Sequence, residues 1–401
     1  MNLFPIPIDG QSNYRMVAKT IFGLEELCKE ELRKLGAENL EIHNRAVSFD
    51  GNIGIMYKAN LLLRTALRVL VQFAEFEVTS ENELYDAVKS IAWENLIKVD
   101  DTLAIDTVLN TEVFNHSQYI SQKTKDAICD RFREICDDKR PSVDLDNPTL
   151  RLHLHVSRNR CVIALDSSGD SLHKRGYREK TNLAPINEVL AAGLVQLSEW
   201  DRRSTFVDPM CGSATILIEA AMLAANIPAG YFRENFGFMN WKQFLPFNEE
   251  LWQTIHEAAI DKISTADLIL YGIEISPHVA RKGKENVKRS KTEDMIRIRC
   301  ADFMESDAPP TVGKGILLMN PPYGERMDKD EDIIGMYHAM GDTFKKKYAG
   351  YDCWIISSNQ AALKNVGLAT SKRYTVYNGQ LECRFFRYSI YAGTKKKKVE
   401  E

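Results

Sequence analysis

A chain of 401 residues is longer than one ordinary domain, so two or three are expected. With 44% hydrophobic and 27% charged residues and a formal net charge of -4, it has the balance of a soluble globular protein. That balance excludes the large basic excess of many strong nucleic-acid binders, although a local basic face is compatible with it. No apolar run reaches the length of a membrane span, and MNLFPIPIDGQSNYR lacks the basic-then-apolar pattern of a signal peptide. A cytoplasmic location is expected. The eight scattered cysteines form no C-x-x-C pair and read as reduced, mostly buried thiols.

Tyr14 to Thr20 reads as a strand, GLEELCKEELRKLG as a helix stopped by Gly36, and RAVSFDG as a strand closed by a turn. MYKANLLLRTALRVLVQFAEF is expected to form one long helix. ELYDAVKSIAWENLI follows as a helix, LAIDTVL as an alternating strand, and HSQYISQKTKDAICDRFREI as a second amphipathic helix. LRLHLHVS and RCVIALD then read as two strands, completing an α+β unit near Asp166. His153 and His155 share one face of the first of these. No third ligand accompanies them, so no metal site is expected. SSGDSLHKRGYREKTNLAP suits a linker, and its interleaved Arg, Lys and Tyr could touch RNA or close over a cofactor.

Beyond the linker, strands and helices alternate. NEVLAAGLVQLSEW is a helix, and STFVDPMCGSATILIEAAMLAAN reads as strand, tight turn and helix. LILYGIEIS, GILLMN and CWIISS are buried strands, and PHVARKGKENVKRS is a helix. Asn378-Gly379 separates two strand-like runs, a strong hairpin signal. This order predicts an α/β, Rossmann-like domain, doubly wound and mostly parallel, with an antiparallel C-terminal hairpin.

In such folds ligands bind at the carboxyl ends of strands. There VDPMCGSATI places Asp208 before a turn in which Gly212 permits close backbone approach to a ligand. It is not the G-x-G-x-x-G pattern, which demotes NAD and FAD. Glu274 ends the next strand, where ribose hydroxyls are gripped. Asp302 ends the third, where a carboxylate could accept from an adenine amino group. Three acids and a glycine, with no phosphate cradle, suit S-adenosylmethionine (SAM). The expected cofactor set is Asp208, Met210, Gly212, Ser213, Thr215, Glu274, Ile275, Asp302, Phe303 and Asn320.

The fourth strand runs into NPPYGER. Prolines fix φ and lack N–H groups, so Pro321 and Pro322 hold the local carbonyls rigid. The Asn320 side-chain oxygen and the Pro321 carbonyl can accept both hydrogens of an exocyclic amine, orienting its nitrogen and offsetting the charge of the attack. Tyr323 offers a stacking platform for the base, so loss of its hydroxyl alone is expected to be mild. Asn320, Pro321, Pro322 and Tyr323 form the expected catalytic set.

The whole set resembles the amino-methylating SAM-dependent methyltransferases. SLHKRGYR, API-N-E, LAAGL, DPMCGSATILIEAA, NIPAG…FGFMNW, NPPYGER and KANLLLRTALRVL narrow the resemblance to the THUMP-containing family that methylates guanine N2 in 23S rRNA. The resemblance implies a ferredoxin-like region (1–58), a THUMP RNA-binding domain (59–166), a linker (167–182), a Rossmann-like methyltransferase domain (183–393) and a charged tail (394–401). It implies RNA as partner, rRNA before tRNA, with no membrane, no metal, and a monomer favoured. Alternatives are tRNA guanine-N2 methylation, adenine N6 methylation, or a non-catalytic RNA-binding protein. Two departures stand out: Ala214 where the family has Gly, and Asn187 where it has Lys.

Overall fold

Every second side chain of Tyr14–Thr20 is buried, the signature of a strand with one face against a core. The computed structural model describes residues 2–3, 13–178, 186–243, 245–311, 313–323 and 330–391. The chain forms two units. The first comprises Met1–Thr20, Cys28–Lys174 and Arg233–Ala259; the second comprises Ile21–Leu27, Arg175–Phe232 and Ile260–Glu401.

The first unit is built on a nine-stranded sheet. Its strands are β1 (Asn2–Leu3), β2 (Tyr14–Thr20), β3 (Glu38–His43), β4 (Ala46–Gly51), β5 (Ala66–Glu77), β6 (Thr102–Asn110), β7 (Ser142–Val143), β8 (Leu150–Ser157) and β9 (Arg160–Asp166). They run in the order β3-β4-β2-β5-β9-β8-β6-β7, with β1 beside β5. The helices are α1 (Glu25–Lys34), which starts in the second unit's segment, α2 (Ile53–Leu62), α3 (Glu81–Ser90) and α4 (Ser117–Ile135).

The long helix expected from Met56 onward is a correction. It stops at Leu62, and Leu63 turns extended with ψ 122°. ALRVLVQFAEFE becomes β5, hydrogen-bonded to β2 on one side and β9 on the other. Val69, Val71, Phe73 and Phe76 are buried there, so pairing on both edges outweighs a helical pattern that is only local. The expected boundary at residue 58 falls inside α2.

The presumed linker is also packed where it is described. Ser167 and Ser168 are fully buried, and Ser167 Oγ donates to the Val69 carbonyl at 2.7 Å. Arg233–Ala259, although it interrupts the methyltransferase sequence, completes the first unit's core. Tyr57 meets Phe238 at 4.4 Å and Trp252 edge-on at 5.9 Å.

The second unit holds β10 (Phe206–Asp208), β11 (Leu270–Glu274), β12 (Ile296–Cys300), β13 (Gly315–Met319), β14 (Tyr351–Ser357), β15 (Lys372–Asn378) and β16 (Leu381–Ser389). Their order is β12-β11-β10-β13-β14-β16-β15. The first five pair in parallel, and β16 lies antiparallel between β14 and β15, the doubly wound sheet and hairpin expected. Its helices are α5 (Glu188–Leu197), α6 (Thr215–Ala224), α8 (Pro277–Arg289), α9 (Asp330–Lys347) and α10 (Gln360–Lys364), while α7 (Glu249–Ile260) belongs to the first unit apart from its last residue.

Residues 21–27 pack in this second unit. Phe22 meets Tyr377 edge-on at 5.5 Å, and Leu24 is fully buried. Gly23 sits at φ 90°, where an added Cβ would lie 2.2 Å from the Thr375 carbonyl oxygen. Only glycine fits there.

Candidate active site

The parallel register carries β10, β11 and β13 to a common end. Phe206-Val207-Asp208 is wholly buried, and the chain leaves the sheet at Asp208. Cys211 N–H donates to the Ile273 carbonyl at 3.0 Å, which ties the turn to β11. Gly212 follows at φ 52°, and a Cβ built on it meets nothing within 4 Å. The turn is therefore open on that side. Ala214 takes the left-handed conformation (φ 66°, ψ 20°) at the head of α6. This is the position where the resemblance implies glycine, and its methyl is fully buried. Asn286 of α8 donates to the Ser213 carbonyl at 3.1 Å, and the Ser213 and Thr215 hydroxyls lie 3.2 Å apart.

Glu274 does two jobs in the backbone. Its Oε2 accepts from Gly212 N–H at 3.1 Å and its Oε1 from Ser276 N–H at 2.9 Å. Each oxygen keeps lone pairs for a ribose hydroxyl. Beside it, Ile275 is 67% exposed, which leaves its side chain available to an adenine face. Asp302 lies two residues past β12, exposed, with Oδ1 accepting from Met304 N–H at 2.8 Å. The Phe303 ring is buried against Phe344 and Tyr348 at 6.1 and 5.7 Å, so a contact from Phe303 to a ligand must come from its backbone.

Asp208 is fully desolvated. Burial, reinforced by the neighbouring Glu274 carboxylate, pushes its pKa up to about 8, against the Met210 N–H that it accepts at 3.3 Å. A buried acid of this kind is primed to ionise when a cation arrives. An open glycine turn, an exposed isoleucine between two acidic strand tips and a desolvated carboxylate together fit SAM. SAM, when bound, supplies an electrophilic methyl on a positive sulfonium.

At the end of β13 the carbonyls of the NPPY segment divide into two groups. Tyr337 OH donates to the Pro322 carbonyl at 3.3 Å and Asn359 Nδ2 to the Tyr323 carbonyl at 3.2 Å. The Pro321 carbonyl has no donor among the described residues. Among the described residues, Asn320 Oδ1 accepts from Tyr323 OH at 2.6 Å. Among the described residues no donor fills the second lone pair of Asn320 Oδ1 or the Pro321 carbonyl, two acceptors that suit an amine. The Tyr323 hydroxyl is thus engaged with Asn320, a contact beyond the ring-face stacking expected of this residue. Gly324, Glu325 and Arg326 of the motif lie outside the described residues.

In HKRGYREK, Arg175 and Tyr177 do not face a partner as the interleaved Arg, Lys and Tyr could suggest. Arg175 and Tyr177 are buried, with Arg175 Nε and Tyr177 OH both donating to Glu219 Oε1 of α6 at 3.4 and 3.0 Å. Arg178 pairs with Glu188 at 3.2 Å and donates to the Thr215 hydroxyl. Arg175, Tyr177 and Arg178 thus brace the turn and α6 from within. Glu179, Lys180, and Ala184 and Pro185 of the API motif lie outside the described residues, as does the lysine run 395–398. Asn187 is described: it caps α5, accepting from Val189 and Leu190 N–H, which accounts for an amide at that position.

Sequence reading missed Tyr337, Asn359 and Asn378. The Asn378-Gly379 pair was legible only as a turn, and nothing local marks its side chain as a neighbour of Tyr323.

Fold and site together define a SAM-dependent methyltransferase. Residues 175–387 match the RMKL-like methyltransferase domain, residues 78–166 the THUMP domain and residues 15–70 the RlmL ferredoxin-like domain. The chain belongs to the RMKL-like methyltransferase family. Among curated relatives, ribosomal RNA large subunit methyltransferase K/L of Syntrophotalea carbinolica is 36% identical over 92% of this chain and 52% of its own length. The Desulfotalea psychrophila protein of the same name is 35% identical over 93% and 52%. The chain therefore spans about half the length of these relatives. The Synechocystis protein slr0064 is 33% identical over 92% of this chain and 95% of its own. Among solved structures, SMU.472, complexed with SAH, superposes with a TM-score of 0.83 at 27% identity, covering 96% of this chain and all of that one.

Proposed function

We propose that the protein transfers a methyl group from SAM to the exocyclic N2 of a guanine in RNA, with 23S rRNA as the substrate. The observation that carries the reading is the pair of acceptors at the end of β13 that no described residue fills, the second lone pair of Asn320 Oδ1 and the Pro321 carbonyl, beside a turn fitted to SAM. An amino nitrogen attached to a purine shares its lone pair with the ring. Holding both of its hydrogens fixes the nitrogen's direction and stabilises the positive charge that grows on it during attack. No side-chain base is needed at that moment, because the proton can leave after transfer.

The THUMP match supports RNA as the partner, and the names of the curated relatives support ribosomal RNA. On this reading the protein works in the cytoplasm, and the target base is unpaired or flipped before it reaches Asn320. The test is nucleoside mass spectrometry of 23S rRNA and tRNA incubated with the purified protein and SAM. N2-methylguanine in 23S rRNA is expected. Methylation confined to tRNA, or N6-methyladenine, would replace the substrate assignment.

A further inference from the structure

We propose that the Tyr323 hydroxyl, directed by Asn378 of the β15–β16 hairpin, is the positioning group that fixes which end of the Asn320 amide faces the substrate. The proposal rests on the reading of Asn320 as an acceptor for the substrate amine.

An asparagine amide has one end that accepts and one that donates, nearly equal in shape, and its terminal torsion is soft. If it flipped, an N–H₂ would face an amine that itself must donate, and the grip would be lost. The structure supplies a reason why it does not flip. Tyr323 OH has one hydrogen and two lone pairs. Asn378 Nδ2 donates to the phenol oxygen at 3.4 Å and the Cys383 thiol approaches it at 3.9 Å. Burial keeps both the phenol and this thiol protonated. With the Asn378 amide donating to the oxygen, the phenol hydrogen is left for Asn320 Oδ1 at 2.6 Å.

The backbone around the ring is held independently. Asn359 anchors the Tyr323 carbonyl, and Tyr337, bonded to Ser357 at 2.7 Å, reaches the Pro322 carbonyl. The ring thus has a fixed base and an oxygen whose acceptor sites are addressed from the hairpin. A bias worth one hydrogen bond corresponds to roughly a tenfold preference for the correct amide orientation.

The test uses the full chain in single-turnover reactions on one RNA, with SAM saturating, for Y323F, N378A, N378D, N320A and the double variant Y323F/N378D. Y323F is expected to lower kcat by roughly tenfold, with KM for RNA and SAM affinity by calorimetry within about threefold. N378D replaces a donor by an acceptor that competes for the phenol hydrogen. It should therefore cost more in kcat than N378A and recover partly as the pH falls and the new carboxyl protonates. In the Y323F background N378D should add no further loss, because no phenol hydrogen remains to divert.

A Y323F enzyme with kcat within twofold of the parent overturns the proposal, as does a full additional loss from N378D in that background. Should Y323F not fold, the ranking of N378D below N378A and its recovery at low pH decide the matter alone. N320A separates the two levels. If N320A loses its rate while Y323F keeps it, the positioning role fails and the function stands; if N320A keeps its rate, the functional reading fails.

Discussion

The Gly212 N–H donates to the Glu274 carboxylate at 3.1 Å across 62 residues of sequence, so the acid expected to hold a ribose also holds the glycine turn before α6. Glu274→Ala should weaken SAM binding by about 1–3 kcal/mol, the cost of leaving hydrogen-bond partners unpaired. Glu274→Gln keeps one acceptor oxygen for either Gly212 or Ser276 and should fall between. Isothermal calorimetry on both variants checks this, and an unchanged dissociation constant for Glu274→Ala removes the residue from the site.

Asp208 gives a pH dependence whose sign can be worked out. Its pKa is about 8 in the folded protein without cofactor, because burial and the Glu274 carboxylate oppose its charge. A cationic group of the cofactor beside it favours the carboxylate and lowers that pKa. Binding then releases a proton, and SAM affinity should rise with pH up to about 8 and level off above it. Calorimetry in buffers of different ionisation enthalpy measures the proton count directly. Asp208→Asn should abolish the release.

The same shift has a consequence for stability. A carboxyl whose folded pKa lies above its unfolded value near 3.9 makes the folded state bind the extra proton. Its contribution to stability is therefore greatest at low pH and is lost as the pH rises from about 4 to about 8. Asp208→Asn should flatten that part of the thermal-unfolding profile relative to the parent.

Ala214 occupies a left-handed backbone conformation with its methyl buried. Releasing that conformation with glycine gains about 1–2 kcal/mol. The gain is offset by about 0.8 kcal/mol for the lost buried methyl and about 0.4–1 kcal/mol of added unfolded-chain entropy. Ala214→Gly should be close to neutral in thermal unfolding, whereas the β-branched Ala214→Val should destabilise by more than about 2 kcal/mol.

Glu219 is the shared acceptor for Arg175 and Tyr177 in a site closed to solvent. Glu219→Ala leaves a buried guanidinium without its carboxylate and should cost about 3–5 kcal/mol of stability. The measurement is chemical denaturation monitored in the presence and absence of SAM.

Leu24 tests which unit residues 21–27 stabilise. It is fully buried, and a Cβ built on Gly193 of α5 would lie 2.5 Å from its side chain. Leu24→Ala should destabilise by about 2–5 kcal/mol. A chain begun at Ser167 lacks this segment, and its Arg233–Ala259 stretch has lost the first unit's core. Such a fragment should aggregate on gel filtration and bind SAM poorly, so it is not a clean way to isolate the catalytic unit.

The sequence alone determined the acidic strand tips, the glycine turn, the NPPY segment, the C-terminal hairpin and most strands and helices. These are written in short runs, where alternation, caps, glycines and prolines act on their immediate neighbours. Only the tertiary structure decided that ALRVLVQFAEFE is a strand, because pairing on both of its edges comes from β2 and β9. It decided likewise that Arg175 and Tyr177 are interior, since their partner Glu219 stands 44 and 42 residues away. The Tyr323 hydroxyl gained its place in the same way, from Asn378 at a separation of 55 residues. Burial and long-range donors depend on which segments the folded chain brings together, and no local pattern carries that information.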